Sequence, residues 1–113
     1  MLTSDNRLKR KDFDRIKKTG KLIQSEDFGI VYIRNKEKTL SKFGFVVSTK
    51  VSKDAVNRNR VKRAMREAVR RNLNLIPTGY EVIFLTKTSI TKKTTDEIMQ
   101  QTVKAIKTLS KVK

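Results

Sequence analysis

The chain reads as an α+β protein, one domain with helices packed on a sheet. Three observations predict it. FGIVYIR (Phe28–Arg34) and FGFVVST (43–49) alternate with a period of two and are rich in β-branched and aromatic residues. From about Asp54 the apolar period turns helical, and it does so again after Thr94. One Pro and four Gly in 113 residues argue against long irregular regions, and a chain of that length supports a single core.

The elements follow in order. KDFDRIKKTG (11–20) forms a short helix: Phe13 and Ile16 share a face, Lys17 and Lys18 suit the last turn, and Gly20 suits the left-handed position after it. In FGIVYIR, Phe28, Ile30 and Tyr32 fall on one face of a strand and Gly29, Val31 and Ile33 on the other. NKEKTLS (35–41) is a polar connection. In FGFVVST, Phe43, Phe45 and Val47 share a side, and the two strands most simply pair as an antiparallel hairpin. Val61, Ala64, Met65, Ala68 and Val69 then recur at i, i+3, i+4, i+7 and i+8, the stripe of an amphipathic helix that Ser52 or Asp54 can cap. It should stop within NLNLIPTG, where Pro77 cannot continue it and Gly79 permits a turn. YEVIFLTK (80–87) is the third strand. Thr94 and Glu97 form a capping box ahead of Ile98, Met99, Val103, Ile106 and Leu109. A short extra strand near Leu22–Ile23 would make the order α-β-β-β-α-β-α. The result is an α-β sandwich with helices on the sheet. The basic leader NRLKRK (6–11) should be mobile without a partner.

The 28 Lys plus Arg against 11 Asp plus Glu leave a formal charge of +17. Self-repulsion of that size opposes compaction, so a polyanion should stabilise the fold, and nucleic acid is the expected partner. With no Cys and no His, disulfides, thiolate nucleophiles, the commonest general base and the usual zinc sites are excluded. No apolar run approaches the roughly 18 residues of a membrane span. MLTSDNRLKRKDF (1–13) lacks the apolar stretch of a secretory signal. These features predict a cytoplasmic protein without a membrane role.

NRNRVKRAMREAVRR (57–71) holds six Arg and one Lys against the single acid Glu67. On a helical wheel Asn59, Arg63, Arg66 and Arg70 lie opposite the apolar stripe, with Lys62 on one edge of that row and Arg60 and Arg71 on the other. Like charges at this spacing cost a few tenths of a kcal/mol per pair in an isolated helix. A solvated face would mix signs; this one is built to meet phosphates. Guanidinium forks grip phosphate oxygens with two parallel hydrogen bonds, whereas ammonium groups act as point charges. The acids elsewhere are scattered, so no carboxylate cluster for two-metal chemistry forms, and neither a catalytic residue nor a metal ligand is expected on the protein.

Arg58-Asn59-Arg60, followed by Val61-Lys62-Arg63-Ala64-Met65-Arg66-Glu67, closely resembles the RNR signature of the bacterial ribonuclease P protein family. The likeness extends upstream through FGFVVSTKVSKDAV (43–56) and to NRLKRKDF (6–13), with the spacing from that helix to Gly20. It implies a basic protein that pairs with a large catalytic RNA, ribonuclease P RNA, to cleave the 5′ leader from precursor tRNA. The RNA would hold the catalytic Mg²⁺, and no obligate protein partner is implied. It also implies a mixed sheet with a left-handed crossover between parallel strands that carries the RNR helix, against the usual hand. Arg58, Asn59, Arg60, Lys62, Arg63, Arg66 and Arg70 would face RNA, with Lys50 and Lys53 extending that surface from the preceding loop. A cleft between the first helix and the sheet would hold the single-stranded leader. Phe13 matches a cleft aromatic, and core packing would explain it equally well. Lys17 stands where the family often has a second aromatic, and Val31 stands at a strand position often aromatic, with Tyr32 beside it. The composition fits a non-catalytic structural RNA binder, of ribosomal or RNA-chaperone type, equally well; the extended motif separates the two.

Overall fold

The computed structural model describes residues 7–34, 40–76 and 78–111. Asn6 of the basic leader, most of the NKEKTLS connection and Pro77 therefore lie outside the described residues. The elements are α1 (Arg10–Thr19), β1 (Lys21–Gln24), β2 (Phe28–Arg34), β3 (Lys42–Val46), α2 (Ala55–Arg71), β4 (Tyr80–Thr86) and α3 (Thr95–Ser110). That is the α-β-β-β-α-β-α order, with the short strand at Leu22–Ile23 present as β1. Single 3-10 turns at Leu73–Leu75 and Thr88–Lys92 connect α2 to β4 and β4 to α3.

Burial on both faces of the strands decides the layering. β2 turns Phe28, Ile30 and Tyr32 to one side, and β4 turns Tyr80, Val82 and Phe84 the same way; α2 and α3 cover them with Val61, Met65, Ile98 and Ile106. On the other side Val31 and Ile83 pack against Ile16 of α1. The sandwich thus has three layers, α1, then the sheet, then α2 with α3.

The four strands run in the order β1-β2-β4-β3. β1 and β4 flank β2 antiparallel, and β3 lies parallel to β4 in a register that sets Phe43 beside Val82 and Phe45 beside Phe84. β2 and β3 are therefore not a hairpin, contrary to the reading from their proximity in sequence. The physical reason is the composition of β4. Tyr80 through Phe84 are all buried, so this strand needs a neighbour on each edge and a helix layer on each face, and it takes the central place between β2 and β3. The last step from β3 to β4 becomes a parallel crossover carrying α2, as the family resemblance implies.

Asp54 caps α2, its Oδ1 accepting from the Val56 N–H (2.9 Å), while Ser52 Oγ accepts from the Asp54 N–H (3.2 Å) and steadies the cap. Thr94 and Glu97 form the reciprocal capping box at α3. Gly79 has φ 86, the one positive φ among the described residues, and turns the chain into β4.

Gly20 differs from expectation. Its backbone is extended (φ −77, ψ 159), not left-handed. The absence of a side chain matters for contact instead: a Cβ there would lie 2.6 Å from the Ile16 carbonyl oxygen and 2.6 Å from Val31 Cγ1. Glycine lets the end of α1 press directly on β2. Gly20→Ala should accordingly destabilise the protein by about 1–3 kcal/mol in urea unfolding, the usual cost of forcing an extra methyl into a packed site. A neutral result would show that α1 can lift from the sheet at no cost.

Candidate nucleic-acid interface

The sequence of α2 separates cleanly into two sides. Val61, Ala64, Met65, Ala68 and Val69 are buried, as their spacing predicts, and Asn59, Arg63, Arg70 and Arg71 are exposed. Arg58, Arg60, Lys62 and Arg66 are half-buried and leave the helix on two flanks.

On the flank toward α3, Arg60 donates from Nε and Nη2 to Asn57 Oδ1 (3.3 and 3.2 Å) and from Nη2 to the Thr91 carbonyl (3.3 Å). Arg63 stands one turn further along. With Arg60, Val56, Ala64 and Met99 it lines an open depression between the two helices. On the flank toward β3, Arg58 Nη1 donates to the Ser52 carbonyl (2.9 Å) and pins the turn before the helix. Arg66 does not point straight away from the core as the wheel suggests. Its guanidinium lies 6.0 Å from the centroid of the Phe45 ring, which itself stacks on Phe84 at 5.2 Å. Burial, and secondarily the nearby charge of Arg7, hold the pKa of Arg66 below its ordinary value.

Glu67 takes two of the cations out of play. It accepts from Arg70 Nε (3.0 Å) and Arg71 Nε (2.9 Å), and these bonds, led by Arg70, push its carboxyl down to about 2. Arg70, expected among the phosphate-facing residues, is thus already paired within the helix. Lys50 and Lys53 are exposed in the short turn between β3 and α2, which the partly buried Val51 anchors to the core.

On the opposite face of the sheet α1 packs down, where the family resemblance places a leader cleft. Gly44 lies between Phe43 and Phe45 on β3, and a Cβ there would collide with the tip of the Phe13 ring. The missing side chain gives Phe13 a flat seat, so this ring is half-buried against backbone. Lys17 is exposed one helical turn on, and Val31 lies beneath Ile16. Tyr32 does not belong here. It faces α2 and α3, its ring 6.0 Å from that of Tyr80. Strand alternation excludes adjacent residues from one face, so of Val31 and Tyr32 only Val31 lies on the α1 side.

Three participants escaped the sequence reading. Arg15 of α1 reaches over the sheet to Glu81 of β4 (2.7 Å), a carboxylate only 2% exposed. An acid inside an otherwise apolar strand is the signal that could have marked that pair. Arg7, expected to be mobile, forms a parallel bridge with Phe43 at the edge of β3. Gly44 was visible only as a gap in the alternation of a strand. Among the described residues no group of three or more metal-ligating side chains gathers, and no helix is long and apolar enough to cross a membrane.

Both the sequence and the fold of this chain match known proteins. The family profile described as Ribonuclease P matches residues 2–110. The chain belongs to the ribonuclease P protein family. It is 35% identical over 104 residues to the ribonuclease P protein component of Clostridioides difficile, covering 91% of this chain and 86% of that one. It is 37% identical over 84 residues to that of Thermotoga maritima, covering 74% and 70%. The solved structure of the Staphylococcus aureus RNase P protein superposes with a TM-score of 0.83 at 28% identity, over 97% of this chain and 98% of that one. In this chain the RNR tripeptide forms part of the first turns of α2, so two of its three side chains bind the protein's own backbone or side chains while Asn59 is exposed.

The Glu67 pairing makes a prediction with a definite sign. Its folded pKa lies below the ordinary 4.5, so its contribution to stability is present above about pH 4.5 and lost as pH falls through about 2. Carboxyl-detected NMR should find Glu67 titrating near 2, and Glu67→Gln should remove that part of the acid dependence. A titration near 4.5 would show that Arg70 and Arg71 are free.

Proposed function

We propose that this chain is the protein component of a bacterial ribonuclease P, assisting an RNA catalyst in removing the 5′ leader from precursor tRNA. The observation that carries the reading is the placement of α2 within the family match. The β3-α2-β4 crossover sets the Arg-rich helix against the edge strand whose other face seats Phe13. One RNA surface could then engage the helix while a single strand lies in the cleft.

In this reading Arg63 and Asn59, exposed on α2, meet the RNA backbone directly, with Lys62 and Arg66 beside them and Lys50 and Lys53 extending the surface past the N-terminus of the helix. Arg58 and Arg60 contact RNA with the donors their internal bonds leave over. Phe13 offers the exposed part of its ring face to an unpaired leader base, with Lys17 near the adjoining phosphate. Stacking of this kind is worth about 1–3 kcal/mol per base. The protein supplies no nucleophile or general base. Its contribution is to hold the leader and the catalyst in one orientation and to neutralise phosphate repulsion between them. Mg²⁺ would reside on the RNA, and the particle would work in the cytoplasm.

Reconstitution tests this. The purified protein should leave precursor tRNA uncut, and adding a bacterial ribonuclease P RNA should give Mg²⁺-dependent cleavage at the mature 5′ end, at lower salt than the RNA alone requires. No stimulation across the salt range, or equal affinity for leader-bearing and mature tRNA, would instead leave a structural RNA binder.

The two sides of α2 should separate in the same assay. Arg63→Ala should lower the slope of log affinity against log salt by about 0.7–0.9, one phosphate's worth, with the fold intact. Met65→Ala should instead cost about 2–5 kcal/mol of stability, the range for emptying a buried site of that size. Comparable stability losses from both would mean that the helix is rotated.

A further inference from the structure

Two cations far apart in sequence meet at the free edge of the sheet. β3 has β4 on one side only. On its other side Arg7 bridges to Phe43, and the Leu8 N–H donates to the Phe43 carbonyl (3.0 Å). Residues paired across a ladder share a face, and Phe43 faces α2 and α3. Arg7 therefore turns its side chain toward α2, while Leu8 packs with Ile16 on the α1 side. Phe45, two residues on from Phe43, carries the Arg66 guanidinium. The two side chains are thus directed to the same strip of β3, and the charge of Arg7 acts on Arg66. Among the described residues no carboxylate pairs with either.

Leaving two such groups close and unneutralised disfavours the free protein, whereas one tetrahedral phosphate can accept a fork from each. We propose that Arg7 and Arg66 together clamp a single RNA phosphate at the edge of β3. The inference rests on the RNA-binding reading above. The clamp lies on the boundary between the cleft on one face of the sheet and the helix on the other, so a strand passing from one to the other must cross it. Arg7 is thereby assigned a role in binding that its place in a basic leader does not suggest.

A double-mutant cycle on the full-length protein tests it. Affinity is measured over a salt series with ribonuclease P RNA alone, and again with leader-bearing precursor tRNA added. Arg7→Gln and Arg66→Gln should each weaken binding about tenfold, the usual weight of a charge-assisted contact, and each should lower the salt slope by about 0.7–0.9. Because both grip one phosphate, the double variant should lose no more slope than either single. Slope losses that add to about two phosphates, or slopes that do not change, would overturn the clamp. A loss seen with ribonuclease P RNA alone assigns the phosphate to that RNA, and a loss seen only with the leader present assigns it to the substrate. Either supports the clamp. Thermal unfolding without RNA supplies a second readout: Arg7→Gln should leave the midpoint unchanged or raise it by relieving like-charge repulsion. A lowered midpoint would make Arg7 a structural residue and sink the proposal. If the wild-type protein shows no salt-dependent binding to either RNA, it is the functional reading that fails.

Discussion

β4 turns Val82 and Phe84 toward α2 and α3 and Ile83 and Leu85 toward α1, so it is satisfied only at the centre of a sheet covered on both faces. Much of the molecule follows from that requirement. β2 and β3 must stand on either side of it, so the chain cannot close them into a hairpin. Reaching β4 from β3 in parallel requires a crossover long enough for a helix, and α2 is that helix. α1 must seal the face that α2 and α3 leave open, and Gly20 and Gly44 let it approach backbone closely. Phe13 and the basic helix end up on opposite faces of one edge strand because the central strand needs both faces covered.

The charge balance is organised around the same frame. With 28 basic residues and only 11 acids, the acids that pair are placed where they do structural work. Glu81 ties α1 to the central strand through Arg15, Asp54 and Glu97 cap α2 and α3, and Glu67 joins the last turns of α2. Few are left to screen Arg63, Lys62 or Arg66. The fold is therefore internally satisfied at its helix ends and deliberately unsatisfied along one side of α2, and a polyanion bound there adds stability by mass action as well as recognition.

What could be read from sequence was whatever depends on local period. The buried stripe of α2, the capping box at Thr94 and the two faces of β2 all emerge from spacing, because side-chain direction in a helix or strand is set by backbone geometry alone. Which strands become neighbours is not local, and alternation in β2 and β3 is the same whether they pair with each other or with β4. Of Val31 and Tyr32, named together for the cleft, only Val31 faces α1, because a shift of one residue along a strand flips the face. Gly20 was expected in a left-handed turn since glycine commonly ends helices so, yet its need comes from Val31 and Ile16, contacts that exist only after folding. Arg7 is a bare cation in sequence, and only its bridge to Phe43 gives it a direction.

The RNR tripeptide then has a chemical explanation that does not depend on charge alone. Arg58 spends one N–H on the Ser52 carbonyl, and Arg60 reaches Asn57 and the Thr91 carbonyl, so both arginines latch α2 to the segments flanking it. A guanidinium has five N–H donors in a rigid plane; Arg58 commits one of them here, and Arg60 engages all three of its nitrogens, Nη1 reaching Thr95 Oγ1 at 3.5 Å. Lysine carries three donors on one rotatable ammonium and lacks the planar spread that reaches separated acceptors in a fixed geometry. An arginine can hold the helix in register with the sheet and present donors to phosphate from the same group. The position of those donors is then set by the fold rather than by a flexible side chain.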